Sequence, residues 1–553
     1  MTLISRLLGA RNQQGHWTGE LSSSALSTAT AVIALHLAKK PKVQEGLDWL
    51  ERTQNPDGGF GDTILSLSNI STTALCWAAF KITNRPNDKV EAWMKQTAGS
   101  LDPIALKPAI ERRYGKDQTF SVPILTVLAV AGLIPWKLVP QLPFELAAFP
   151  QSMFRFLQLP VVSYALPALI AIGHVKHKRS NSFHPIRQAT AAKTLKVLAE
   201  IQPPNGGFLE ATPLTSFVTI SLLAAGYHNE VIEKGLTFLD KSAREDGSWP
   251  IDTNLATWVT TLSVNALKHH LPQESRNQIR DWLLNQQYKI RHPYTGADPG
   301  GWAWTDLPGG VPDSDDTSGA LLALSHLGTP DAPTIEAVKA GANWLKSLQN
   351  RDGGIPTFCR GWGTLPFDRS SPDITAHALQ AWLAWKPHVE ATQATAKAIA
   401  FLKKVQRPDG AWIPLWFGNQ HAPNDENPLY GTARVLAAMK LFPEADDATK
   451  KAKLWLLHSQ NDDGGWGGNH NIPSSIEETA LAITALQNLD GVTAAIDRAK
   501  AWLEDATRNG TPPSPIGFYF ARLWYFETLY PLIFSTEALS HVDAGKTTYV
   551  KSD

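Results

Sequence analysis

The sequence predicts an all-α fold, on the strength of a short cassette repeated along the chain and a near absence of strand-like alternation. The cassette is Gln, then Asp-Gly or Asn-Gly, then an aromatic residue. It occurs as Gln14-Gly15-His16-Trp17, Gln54 with Asp57-Gly58-Gly59-Phe60, Gln202 with Asn205-Gly206-Gly207-Phe208, Asp246-Gly247-Ser248-Trp249, Gln349 with Asp352-Gly353-Gly354, Gln406 with Asp409-Gly410-Ala411-Trp412, and Gln460 with Asp463-Gly464-Gly465-Trp466. Each is followed by an Ala/Leu-rich amphipathic stretch such as Thr479-Ala480-Leu481-Ala482-Ile483-Thr484-Ala485-Leu486. The glycines supply the positive φ that ends one helix, and a Ser, Thr or Asp a few residues on caps the next. Helix pairs repeated in this way close into an α/α toroid or extend as a solenoid. The cassettes themselves read as ties between helices, not as substrate contacts.

At 553 residues the chain is long enough for two to four average domains, or fewer large ones. Lys+Arg 51 balance Asp+Glu 51, so no global field exists to attract nucleic acid, and a nucleic-acid partner is not expected. Cys76 and Cys359 are a poor disulfide scaffold and fit a reducing cytoplasm. Met1 to Ala10 is too short and broken for a secretory apolar region, and no run of about eighteen apolar residues suggests a membrane span. The aromatic load, Trp 20 with Phe 20 and Tyr 10, exceeds what the cassettes require.

Residues 101–175 lack the cassette and are rich in Pro and large apolar groups (Leu133-Ile134-Pro135-Trp136, Leu142-Pro143-Phe144, Leu159-Pro160). The basic run His174-Val175-Lys176-His177-Lys178-Arg179-Ser180 follows. Two readings stand: an apolar surface with a basic collar resting on a bilayer face, or buried helices packed around prolines with a solvated loop after them.

The chemistry is concentrated in Val311-Pro312-Asp313-Ser314-Asp315-Asp316-Thr317-Ser318-Gly319, three carboxylates in four positions of a chain that is only 18% charged. Like charges this close cannot all ionise freely, so at least one carboxyl is expected to hold its proton near neutrality and to be available as a Brønsted acid. Asp-rich turns also serve as metal ligands, helix caps or solvated loops.

The acidic motif within Gln/Trp repeats resembles the squalene-hopene cyclase family of class II terpene cyclases, whose mark is Asp-x-Asp-Asp-Thr. The likeness extends over essentially the whole chain. It includes Gly301-Trp302-Ala303-Trp304 upstream of the motif, Ser371-Pro372-Asp373-Ile374-Thr375-Ala376-His377, Leu429-Tyr430-Gly431-Thr432, and the terminal Phe518-Tyr519, Tyr525-Phe526 and Tyr530-Pro531. The resemblance implies two α/α-barrel domains: residues 1–20 with 240–553 carrying the acid motif, and residues 21–239 forming the second barrel with its membrane-facing segment. Protein prenyltransferase β subunits share the toroid but need an Asp-x-Cys zinc site, which neither cysteine provides. Asp315-Asp316 also departs from the oxidosqualene cyclase pattern and points away from an epoxide.

By the same resemblance Asp315 is the proton donor, and His377, charged and hydrogen-bonded to it, stabilises the carboxylate left behind. Asp313 and Asp316 are expected to hold that histidine charged, and Asp373, one helical turn earlier, to orient its ring across i,i+4. The group titrates as a coupled set. Trp304, Trp258, Phe358, Trp416, Tyr430, Phe518 and Tyr525 are expected to line the cavity, because aromatic faces stabilise a desolvated cation by about 0.5–2 kcal/mol each without acting as nucleophiles. The expected substrate is a linear isoprenoid such as squalene, with no cofactor and no metal. The implied location is cytoplasmic, with peripheral contact to the inner face of the cell membrane and a homodimer both open.

Several positions depart from the family pattern. Leu159-Pro160-Val161-Val162-Ser163-Tyr164 lacks the usual cavity tryptophan, Trp416 to Asn427 is a longer and more polar link, and Arg522 stands where aromatic residues are usual. These departures keep a second reading in play, a class II cyclase of a prenyl diphosphate, which needs a cationic cluster and usually Mg²⁺. Arg522, Arg360 and the 176–179 run are its candidate cations. A third reading is a carbohydrate-active or non-catalytic α/α toroid with Asp315 and Asp373 as paired carboxylates; the aromatic set argues against it.

Overall fold

The computed structural model describes residues 2–115, 118–150, 153, 165–180, 184–293, 295–358, 368–517 and 522–540. Among them the chain is helical, with isolated β-bridges and no strand. We number the helices α1 (Leu3–Gly9), α2 (Ala25–Leu37), α3 (Val43–Thr53), α4 (Ile70–Ile82), α5 (Asp88–Ala98), α6 (Pro103–Tyr114), α7 (Gln118–Val130), α8 (Leu166–Arg179), α9 (Pro185–Ile201), α10 (Thr212–Ala224) and α11 (Glu230–Ser242). The remainder are α12 (Ala256–Leu267), α13 (Gln273–Gln286), α14 (Ser314–His326), α15 (Ala332–Leu348), α16 (Pro372–Ala384), α17 (Thr392–Val405), α18 (Pro428–Met439), α19 (Asp446–His458), α20 (Ile476–Leu486), α21 (Thr493–Ala506) and α22 (Tyr530–Ser540).

Two kinds of helix alternate because two kinds of sequence alternate. α4 is apolar or small on every face and is buried from Ile70 to Phe80, whereas α3 buries only Gly46, Leu47, Trp49 and Leu50 on one stripe. The uniformly apolar helices form inner rings. In one ring α2, α4, α7, α8 and α10 pack in succession and α10 closes on α2. In the other, α12, α14, α16, α18, α20 and α22 pack in succession and α22 closes on α12, with α1 also resting on α22.

The cassettes tie these helices together through donors that apolar packing would otherwise leave unsatisfied. Gln349 Nε2 donates to Gly353 O at 2.8 Å within its own turn and to Ala394 O at 2.9 Å on α17. Gln406 and Gln460 repeat the arrangement toward Ala448 O and Ala495 O. The indole N–H groups of Trp17, Trp249, Trp302, Trp412 and Trp466 donate to the carbonyls of Leu7, Leu239, Leu283, Leu402 and Leu456, which lie near the C-terminal ends of helices. The turn glycines cannot be replaced: Gly353 sits at φ +93°, and a Cβ there would meet Lys397 O at 2.3 Å.

The basic run is helical and not a loop. It lies inside α8, where Lys178 Nζ and Arg179 Nη2 donate to the carbonyls of Ala225 and Ala224 at the C-terminal end of α10, and Lys176 donates to Trp136 O. Cations at a helix C-terminus satisfy its orphan carbonyls and its dipole. Lys176 is buried while Lys178 and Arg179 stay exposed, so the run is the end of a helix and not a solvated loop, with its last two cations at the surface. Phe149 and Ile186 are exposed in this region, and no described helix is long and apolar enough to cross a membrane.

Candidate active site

The loops that precede the inner helices of the second ring are hydrogen-bonded to one another, which brings the helix N-termini to one end. Trp302 bridges Asp313 and Ile355 bridges Ser371, while the N–H groups of Thr257 and Trp258 both donate to Trp304 O. Ser314 adds a bond from its N–H to Thr357 O at 2.9 Å and one from its hydroxyl to Pro356 O at 2.6 Å. The chemical residues sit on these aligned ends.

Asp313 is the N-cap of α14, its Oδ1 accepting from the N–H groups of Asp315 and Asp316, both at 2.9 Å. That cap turns Asp315 toward α16, where His377 Nδ1 lies 2.5 Å from Asp315 Oδ1. Close helix approach makes the contact feasible: a Cβ on Gly319 would fall 2.9 Å from Thr261 Oγ1 and 3.5 Å from His377 Cε1. Trp258 packs edge-on to the imidazole with ring centroids 6.1 Å apart.

Burial separates the carboxylates. Asp313, Asp316 and Asp373 are buried, whereas the Asp315 side chain is 17% exposed beside a His377 ring that is 2% exposed. Burial pushes Asp313 up to about 7 and Asp316 well above the usual carboxylate range, and the two groups hydrogen-bond to each other. The expectation that a carboxyl in this motif keeps its proton near neutrality therefore applies to these two. Burial, followed by the charge of Asp315, raises Asp373 to about 6.

Two sequence expectations change. Asp373 accepts from Ser371 Oγ and makes no hydrogen bond to His377 among the described residues, because its carboxylate closes a local turn at the start of α16. The attraction favouring a charged His377 comes from Asp315, whereas burial raises Asp313 to about 7 and Asp316 well above the usual carboxylate range, which weakens their share. Net, burial lowers the His377 pKa; Asp315 opposes that, and the partly buried Arg434 guanidinium adds to it.

The expected aromatic residues fall into two connected groups. Trp304, Phe358 and Trp416 form a run of edge contacts, with centroids 6.3 and 5.9 Å apart. Trp416 Nε1 donates to Thr357 Oγ1 at 2.9 Å. All three rings are only partly buried. In the second group Trp258 Nε1 donates to Tyr530 Oη at 2.9 Å, Tyr530 and Tyr525 hydroxyls are 3.1 Å apart, and Phe417 stacks on Tyr430 at 4.3 Å. Phe518, Cys359 and Arg360 lie outside the described residues.

Three residues of the site escaped the sequence reading. Asp252 accepts from Trp304 Nε1 at 3.1 Å and so sets the angle of that ring; its signal was an acidic residue placed just after a cassette aromatic, Trp249. Arg434 is one turn after Tyr430, a lone charge in an otherwise apolar helix. Tyr530 joins Trp258 to Tyr525, and only its place in the terminal aromatic series hinted at this. No cluster of three or more His, Cys, Asp or Glu is arranged to hold a metal ion among the described residues.

Paired inner rings, with an accessible carboxyl at a helix N-terminus facing a histidine and aromatic walls, define an α/α-toroid protein with a buried acid site. The squalene-hopene cyclase N-terminal domain matches residues 2–181 and the squalene-hopene cyclase C-terminal domain matches residues 254–485. The chain belongs to the squalene-hopene cyclase family. Enfumafungin synthase efuA of Hormonema carpetanum is 25% identical over 94% of this chain, which spans only 46% of that protein's length. A probable squalene-hopene cyclase of Sinorhizobium fredii is 24% identical over 91% of this chain and 89% of its own. The solved ent-copalyl diphosphate synthase of Streptomyces platensis has the same fold, with a TM-score of 0.55 at 19% identity and 97% of each chain covered.

Proposed function

We propose that this chain is a class II terpene cyclase, which polycyclises a linear isoprenoid by protonating a terminal alkene. The observation that carries the reading is Asp315, the one partly exposed carboxyl of the buried set, hydrogen-bonded by His377, whose ring packs edge-on against Trp258. Residues 1–20 with 240–553 form the catalytic unit of this reading, and 21–239 the second barrel.

The chemistry follows from charge. With His377 protonated and donating to one oxygen of Asp315, the remaining O–H of Asp315 points its proton at the alkene. The π electrons form the new C–H bond, a tertiary cation develops, and the Asp315 carboxylate left behind is stabilised by imidazolium. Each following alkene attacks the cation in turn, and loss of a proton or capture of water ends the cascade. Trp304, Phe358 and Trp416 offer π faces to the moving charge, and Asp252 holds Trp304 in place.

One substrate class that this reading admits is a neutral polyprene such as squalene, supported by the family match and by the aromatic residues of the site. With that substrate the protein would be a squalene-hopene type isomerase that needs no metal and draws its substrate from a membrane surface on the cytoplasmic side. A prenyl diphosphate is the second substrate, favoured by one specific observation: Arg522 shares a pocket with Arg112 and Arg113. Mg²⁺ would then accompany the diphosphate. Purified protein is to be incubated with squalene, farnesyl diphosphate and geranylgeranyl diphosphate, with and without EDTA, and the products read by mass spectrometry. Cyclic product from any of them that is abolished in Asp315→Asn supports the reading; product that persists in that variant refutes it.

A further inference from the structure

A pocket of about 470 Å³ opens where the start of α4 faces the last turn of α6 and the chain at residue 522. Its walls carry three guanidiniums, Arg112, Arg113 and Arg522, together with the Trp93 ring and the polar side chains of Ser68 and Asn69; no carboxylate among the described residues lines it. Among the described residues, Asp62 attracts Arg113, Asp425 pairs with Arg522, and Asp57 accepts from the Ser68 and Trp93 side chains of the pocket wall. Arg113 Nε is buried and has no hydrogen-bond partner among the described residues.

The backbone is arranged to keep the cluster in place. Arg522 takes a left-handed φ of 47°, which an L-residue adopts only under constraint, and Arg113 Nη2 donates to the Arg522 carbonyl at 2.8 Å. Trp524 N–H donates to Asp62 Oδ2 at 2.8 Å, tying the same segment to the first ring. One wall of the active site starts three residues after Arg522, at Tyr525, so the two lie within about 10 Å of each other. From Tyr525 the contacts run through Tyr530 and Trp258 to His377.

We infer that this pocket is the seat of a diphosphate head group, and that the substrate is a linear isoprenoid carrying one. In this reading a chain protonated by Asp315 at one terminal alkene carries its other terminus toward the three guanidiniums, which the contact series Tyr525, Tyr530 and Trp258 joins to His377. Guanidiniums match phosphate oxygens in bidentate geometry, and a dry, partly buried Nε–H gains most from such an acceptor. The loop leading into the pocket exposes Ile64, Leu65 and Leu67, and Gln420 holds it by bonds to the Leu67 N–H and the Leu65 carbonyl. An apolar lip beside a cationic pocket suits a molecule with a hydrocarbon tail and an anionic head. The inference rests on the cyclase reading above and narrows it to the charged substrate class.

The full chain is to be titrated calorimetrically with inorganic pyrophosphate and with geranylgeranyl diphosphate, in wild type, Arg112→Ala, Arg522→Ala and Asp315→Asn. Arg112 is exposed, so its variant is expected to fold, which circular dichroism checks. The expected result is binding of both ligands, weakened at least ~10-fold in each arginine variant, with the KM for geranylgeranyl diphosphate rising by a similar factor while kcat is held. Asp315→Asn is expected to bind pyrophosphate normally and to turn nothing over. Wild type that binds neither ligand, arginine variants that bind as well as wild type, or binding to phosphatidylglycerol vesicles that pyrophosphate does not displace would each overturn the inference. Turnover by Asp315→Asn would instead remove the cyclase reading on which it stands.

Discussion

His377 Nδ1 and Asp315 Oδ1 are 2.5 Å apart, and Asp315 is the one carboxyl of its cluster with an open face. That pairing decides how the acid works. A neutral imidazole would accept the Asp315 proton and turn it away from a substrate, whereas an imidazolium donates to one oxygen and leaves the other O–H free. The active form is therefore the pair carrying two protons, and both residues belong to one coupled titration.

Asp315→Asn keeps the shape of the side chain and removes the transferable proton. Turnover is expected to fall by at least about 10³-fold, roughly 4 kcal/mol of barrier, with helical circular dichroism and melting temperature close to wild type. Product formation within tenfold of wild type would move the acid elsewhere in the cluster.

Activity has a signed pH dependence. Because burial and Arg434 lower the His377 pKa below its ordinary value, the imidazolium is lost at a lower pH than in an ordinary histidine. The kcat/KM profile is expected to decline as pH rises through that titration. His377→Ala should lower kcat far more than it raises KM. A profile flat between pH 5 and 8, combined with a fully active His377→Ala, would leave His377 as ordinary core.

The helical rings and the acid motif were legible in the sequence for physical reasons that are local. Gly353 at positive φ and the Gln349 side chain act within a few residues of one another, so their spacing alone announces a turn closing on a helix. Asp313 as a cap obeys the same local rule. What could not be read depends on where distant segments meet. Asp373 was placed on His377 by helical spacing, yet the nearer Ser371 hydroxyl takes its carboxylate. Lys178 and Arg179 are exposed charges, as their run suggests, but that they bond the terminal carbonyls of α10 depends on where that helix ends in space. Arg113 and Arg522 are 409 positions apart, and no pattern along the chain could have joined them.

Trp302 tests the support beneath the site. Its ring is fully buried, its indole donates to Leu283 O at 2.8 Å, and its own carbonyl accepts from the Asp313 N–H at 2.9 Å. Trp302→Ala is expected to cost about 3–5 kcal/mol of stability from the cavity and the lost donor, seen as an earlier denaturant midpoint, with activity falling even at temperatures where the variant stays folded. A midpoint unchanged from wild type would mean that the cassette ring carries none of the load assigned to it.

Arg434 offers the sharpest test of how the acid is tuned, because it touches the chemistry through charge alone. It lies on α18, one turn beyond Tyr430, and its positive charge acts on Asp315, Asp373 and His377. A nearby cation disfavours an added proton, so it lowers the His377 pKa and narrows the pH range over which the imidazolium persists, while its charge favours the Asp315 carboxylate formed on proton transfer. Arg434→Gln removes that charge. The descending limb of the pH profile is expected to move to higher pH, and the plateau below it to drop, since the carboxylate formed on proton transfer loses a stabilising neighbour. A purely structural role for Arg434 would lower activity at all pH values alike and leave the limb where it was. A shift to lower pH would reverse the sign of the interaction and rule out this account of the pair.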